Sequence, residues 1–326
     1  MNTRVNTMKW LLRREFWEHK GAFFWAPVVI GAALVAMLGG GFLYSMAVTS
    51  GLDMQVDGHH VVAVNGIPHT LRHKLADIVA SSYMAVSAPL FLVLPVVVFF
   101  YCLAALYDDR RDRSILFWKS LPLSDQETVL SKAAMALLVA PLITFAVGCA
   151  ASLALLAIGL AGSALKGLNL VAPVLADGNL YLSPLYLLGF LPLYILFALP
   201  TVGWLMLVSS WARSKPFLWA VGTPLAAIAV LKWVDFLLSR FGGLRLPADW
   251  FIDEVVARGL GGLVPAIWLA DMDNSVLSQM DRGLDGTLLL AHSYSALASP
   301  GVWLGAIAGV AMLFAASRLR RWRDEG

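Results

Sequence analysis

Five stretches of this chain contain no Asp, Glu, Lys or Arg: Gly21–Leu52, Ile78–Tyr107, Ala133–Leu165, Gly178–Ala212 and Gly286–Ser317. Each is longer than the roughly 20 residues an α-helix needs to cross the hydrocarbon core of a bilayer. A sixth run, Pro216–Leu238, carries Lys232 and Asp235 near one end, three residues apart on one helical face, where they can pair or reach the interface. Composition points the same way. Of 326 residues, 59% are hydrophobic and 14% are charged, against about 25% charged in an average soluble domain. The expected fold is an all-α integral membrane protein, with six transmembrane helices in a single domain over residues 1–326.

The basic residues orient the bundle. Sixteen Lys and Arg fall on the face that receives the N-terminus, the second and fourth connections and the C-terminal tail, against seven on the other. By the positive-inside rule both termini are expected in the cytoplasm. The net charge of +3 follows from this distribution, and nothing in it calls for a nucleic-acid partner. The first apolar run is about twice as long as the core of a cleaved signal peptide and follows a charged segment, so it is expected to stay as a span.

Residues 1–21 read as an interfacial helix, with Met8, Leu12 and Phe16 on one stripe, Trp10 and Trp17 beside it, and Lys9, Arg13, Arg14, Glu15 and Glu18 over most of the rest. Glu15 and His19 border the apolar stripe and spoil its amphipathicity. Residues 239–285 form a long extracytoplasmic segment, too apolar for a free loop, expected to hold short helices on or in the outer membrane face. Cys102 and Cys149 differ in expected depth by about 16 Å at 1.5 Å per residue, beyond disulfide reach, and are expected to be core thiols.

Motifs that would carry chemistry on this chain are weak. His59, His60, His69 and His73 cluster in one connection without the fixed three or four ligands of a zinc site, and "LADMDNSVLSQMD" lacks the glycine and terminal glutamate of a calcium loop. No Gly-rich phosphate-cradling string precedes a Gly-Lys-Ser/Thr, so no nucleotide site is expected, and the spans offer no paired carboxylates or His-rich face for catalysis. The chain is expected to be non-enzymatic, with no cofactor or metal of its own.

The cytoplasmic connection over residues 108–132 is different. After Asp108, Asp109, Arg110, Arg111 and Asp112 come Ile115, Leu116, Phe117 and Trp118, then Leu121 and Pro122, which break the helix, then Ser124 and Glu127, which read as a capping box. An apolar patch rimmed by charge suits a protein dock and equally suits a helix lying on lipid headgroups.

Here the chain resembles a family. Arg111, Asp112, Ser114, Ile115, Leu116, Pro122, Ser124, Glu127 and Lys132 are similar to the first cytoplasmic loop of ABC type 2 transporter permeases. Ser114 stands where family members often have Gly, and Phe117 and Trp118 stand in a stretch that is usually aliphatic. Six spans with both ends inside, an interfacial helix and a half-buried connection before the last span look like the same plan.

The resemblance implies the membrane subunit of an ATP-driven exporter in the bacterial inner membrane, moving a lipid, peptide or drug. It implies a second permease chain, identical or related, and two copies of an ABC ATPase subunit that hold the ATP and Mg. They would dock on the coupling helix at residues 114–123, with Arg111, Asp112, Ser114, Ile115, Leu116, Phe117, Trp118, Leu121, Pro122, Ser124 and Glu127 as contact residues. The alternative is a non-transporting membrane sensor or assembly component that docks a cytoplasmic protein on the same loop.

Overall fold

The computed structural model describes residues 2–48, 53–56, 59–62, 69–112, 124–241, 252, 258–269 and 286–322. Six of its helical stretches are long and apolar enough to span a membrane: Gly21–Val48, Arg72–Arg111, Asp125–Leu165, Gly178–Trp211, Pro216–Arg240 and Pro300–Arg321. They are called spans one to six in that order. The protein is thus a multi-pass, helical membrane protein. Among the described residues one feature departs from an all-α chain, an antiparallel hairpin of Asp53–Val56 and His59–Val62 with Val56 opposite His59. Its strands flank the Asp-Gly pair at 57–58, a favoured hairpin dipeptide.

Proline chemistry sets several of the irregularities of the spans, though the π-helical turn Val35–Gly39 has no proline after it. A proline lacks the N–H that bonds four residues back and its ring crowds that carbonyl. π-helical turns at Gly21–Trp25 and Met135–Val139 lead into Pro27 and Pro141, each near the start of the α-helix that follows. The charge-free run Gly286–Ser317 does not cross as one helix, which corrects the expected boundary of span six. It divides into Gly286–Ser295, a short 3₁₀ turn at Ala296–Ala298, and Pro300–Trp322, because Ser299, held extended before Pro300, cannot continue a helix. The fourth run likewise divides into Gly178–Gly189 and Leu191–Trp211, with Pro192 in the first turn of the second piece.

Leu191–Trp211 is the axis of the bundle. Leu193, Ala198, Val202, Leu205 and Met206 are fully buried there, in one cluster with Val98 and Cys102 of span two, Met135 and Ala136 of span three and Ala316 of span six. Its closest partner is span six. A Cβ on Gly203 would sit 2.6 Å from the Gly309 carbonyl oxygen, and a Cβ on Gly309 would sit 2.6 Å from the Leu199 carbonyl oxygen. Two backbones touch there because neither residue has a side chain, the usual way membrane helices gain dispersion contact where lipid removes the hydrophobic incentive.

Part of the connection before span six reaches inward. Residues 258–269 hold the short helix Arg258–Gly261 and the turn Ile267–Leu269; Trp268 packs on Phe197, and the Thr201 hydroxyl donates to the Gly259 carbonyl. The expected short helical pieces exist, and these ones bury against span four. Both cysteines are free, Cys102 buried and Cys149 partly so.

Gly309→Ala is expected to cost about 1–3 kcal/mol through overpacking, read as a lowered unfolding midpoint in detergent. Gly222→Ala, where the added Cβ meets nothing within 4 Å, is expected to leave that midpoint unchanged or slightly raised; equal behaviour of the two variants would exclude the Gly203–Gly309 contact.

Candidate functional site

Among the described residues, the strongest concentration of buried charge lies around the two arms that flank residues 113–123. Lys132, in the last turn of the capped helix Asp125–Ala134, is 3% exposed. Its Nζ lies 3.0 Å from Glu15 Oε1 and 3.6 Å from Asp109 Oδ1. Asp109 Oδ2 in turn accepts from Arg320 Nη1 at 3.1 Å, and Arg320 Nε lies 3.3 Å from Asp125 Oδ1, an ion contact without hydrogen-bond alignment. Tyr101 donates to Glu15 Oε2 at 3.1 Å, and its ring meets Phe23 and His19 edge to face. Four parts of the chain thus converge: the N-terminal helix, the end of span two, the start of span three and the end of span six.

Local sequence accounts for each position. The N-terminal helix Asn2–Glu18 passes through one turn at His19 straight into span one. From Thr7 onward its buried residues are Leu11 and Glu15, with Thr7, Met8, Leu12, Arg14 and Phe16, and His19 just after it, half-buried. This corrects the expected polar face: Glu15 belongs to the buried side, because Lys132 and Tyr101 supply the donors that water would otherwise give. Trp10 and Trp17 are exposed, and Lys20 Nζ lies 4.7 Å from the Trp17 ring centroid.

A second clamp fixes the outgoing arm. Span two turns at Leu106 into Tyr107–Arg111, and the two amides freed at that turn, Leu106 N and Tyr107 N, donate to Ser209 Oγ at 3.0 and 2.9 Å. Arg110 donates to the carbonyls of Ser209 and Ala212 at the C-terminal end of Leu191–Trp211. A guanidinium at helix-end carbonyls satisfies groups that have no intrahelical partner and complements the helix dipole.

Of the eleven residues expected to dock a partner, four are described. Arg111 and Asp112 are exposed at the end of the outgoing arm. Ser124 and Glu127 form the expected capping box, with Glu127 N donating to Ser124 Oγ at 3.2 Å and Ser124 N to Glu127 Oε2 at 3.1 Å. Ser114, Ile115, Leu116, Phe117, Trp118, Leu121 and Pro122 lie outside the described residues, as do the side chains of His59, His60 and His69 and the stretch 270–285. Sequence reasoning missed the ion network. Its one visible signal was Glu15 and His19 breaking the apolar stripe of an otherwise regular amphipathic helix. Comparison with protein-family models, curated proteins and solved structures finds no match.

Burying charges costs several kcal/mol per ion, and removing one member of a buried pair leaves the other uncompensated, at about 3–5 kcal/mol. Lys132→Met is therefore expected to destabilise the protein by about 3–5 kcal/mol in a chemical unfolding titration. Adding Glu15→Gln to it should recover a large part of that loss. Strict additivity of the two single changes would show that the residues do not interact.

Proposed function

We propose that this chain is the membrane-spanning permease subunit of an ATP-driven ABC transporter, exporting a hydrophobic or amphipathic compound, with ATP and Mg held by a separate subunit. One observation carries the reading. The two arms that flank residues 113–123 are both locked into the bundle, the outgoing one by Arg110 and Ser209 and the returning one by Lys132 and Asp125. A loop that only joined two spans would need neither lock. A loop that receives a push from a moving partner needs both, because force passes only through elements that do not yield locally.

In this reading both termini and the 108–132 loop lie in the cytoplasm, as the excess of basic residues on that face supports. The chain sits in a cell membrane, the bacterial inner membrane by resemblance. Two ATPase copies dock on the apolar patch Ile115–Trp118, and closure of the pair on ATP moves the loop. The push reaches span four through Ser209 and span six through the Asp109–Arg320 pair. A second permease chain completes the pathway. Spans one and five, whose outer faces carry many exposed apolar side chains such as Met37, Tyr44, Leu218 and Trp233, offer surface to that chain or to lipid. The resemblance of the loop to ABC type 2 permeases supports all of these assignments and supplies the identity of the partner.

The test is co-purification with the cognate ATPase, followed by ATP turnover. Leu116→Asp and Trp118→Asp, which put a carboxylate into the docking patch, are expected to lose the ATPase subunit and to cut stimulated turnover by tenfold or more, taking a lost hot-spot contact as about 2 kcal/mol. Stable co-purification with unchanged turnover would sink the docking assignment.

A further inference from the structure

Apart from the ion network, spans two, three and four, residues 265–268 and the helix Gly286–Ser295 line an open-sided cavity of about 670 Å³. That volume is in the range of sites for drug-sized ligands. Most of its wall is apolar, built from side chains such as Phe91, Phe145, Leu187 and Phe190. Its polar groups include Asp77, Ser81, Asn179 and Ser183, with the phenol of Tyr186 beside them and Ser87, whose hydroxyl donates to the Met84 carbonyl, also in the wall.

The hydrogen bonds of those groups commit the serine protons and leave two donors, the second N–H of Asn179 and the Tyr186 hydroxyl, beside a larger set of free acceptor oxygens. Asn179 Nδ2 donates to Asp77 Oδ1 at 3.1 Å, an orientation forced because a carboxylate only accepts; the amide oxygen of Asn179 is left as an acceptor. Ser81 spends its hydroxyl proton on the Ile78 carbonyl at 3.2 Å. Ser183 spends its own on the Asn179 carbonyl at 2.7 Å, with the Ala80 carbonyl at 3.2 Å as second acceptor. Each serine then offers lone pairs only. Two more donors belong to lining residues, Tyr194 Oη and Trp268 Nε1, but both atoms are sealed from solvent and so from the cavity. Asp77 is exposed, and among the described residues its side chain has Asn179 as its one partner, so a carboxylate oxygen remains available.

A pocket with an apolar wall, one carboxylate and a set of committed acceptors selects a ligand that brings its own protons and positive charge. An anion would meet Asp77 with no cation among the lining residues to offset it, and a pure hydrocarbon would strand the polar rim. We propose that this cavity binds an amphipathic amine, its ammonium held by Asp77, Asn179 and the two serine oxygens and its apolar body against Phe91, Phe145 and Phe190. The ammonium can be that of a free lipophilic amine or of an aminolipid headgroup. The site requires only the bundle and stands whether or not the chain works with an ATPase.

The experiment uses the purified full-length chain in detergent without any partner, and N-dansylcadaverine as probe, whose dansyl emission rises in an apolar site. Saturable binding at one site per chain is expected, about tenfold weaker for the N-acetylated, uncharged analogue and absent for a dansyl amino acid ending in a carboxylate. Asp77→Asn is expected to weaken the amine about tenfold, the scale of one lost charge-assisted hydrogen bond. Ala85→Trp, which fills the cavity from its wall, is expected to abolish binding. Non-saturable uptake, equal affinity for all three probes, or unchanged binding in either variant would overturn the proposal. Repeating the titration in nanodiscs with and without phosphatidylethanolamine separates the two sources. Competition by that lipid assigns the site to a headgroup amine, and retained affinity assigns it to a free one.

Discussion

Lys132 bridging Glu15 and Asp109, with Arg320 continuing the chain of charge to Asp125, is the interaction on which the arrangement of one end of this molecule depends. Elsewhere the helices touch through apolar side chains and small residues, contacts that are individually weak and tolerant of sliding. Ion pairs sealed from water are not tolerant: each member needs its partner in place or its charge is left unsolvated. The network therefore fixes the N-terminal helix, span two, span three and span six relative to one another. Asp109 and Asp125 of that network belong to the two arms that flank the connection whose sequence resembles a docking loop.

The central helix Leu191–Trp211 serves this arrangement from the other direction. Its C-terminal end anchors the outgoing arm through Ser209 and its exposed carbonyls. Its middle meets span six backbone to backbone at Gly203 and Gly309, and its beginning carries Tyr194 and Phe197 into the floor and neighbourhood of the apolar cavity. One helix thus connects the candidate docking end with the candidate ligand cavity.

Much of the fold was legible because the rules that produce it are local. A bilayer-spanning helix announces itself as a run with little or no charge, and each of the five charge-free runs and Pro216–Leu238 overlaps a helix long enough to cross. The capping box at Ser124 and Glu127 was equally visible, since it depends on a spacing of three residues. Boundaries were less so. The division of the last run at Ser299–Pro300 follows from a proline that could also have sat within a kinked helix, and local sequence does not choose between these outcomes. The ion network was the least visible feature. Asp109 and Arg320 each looked like an ordinary interfacial charge, and they meet although they stand 211 positions apart.

The sequence by itself determined that this chain crosses a membrane, roughly where, and which connection carries an apolar patch between a charged arm and a capped helix. Hydrophobic length and local hydrogen-bond chemistry decide those matters with no knowledge of what packs on what. Only the tertiary structure decided that Glu15 turns inward, that Lys132 and Arg320 are structural cations, and that the serines beside the cavity have their protons already committed. Those properties belong to pairs and clusters. A carboxylate is a surface group or a buried anchor according to the donors that another helix brings to it, and no single stretch of sequence contains both halves.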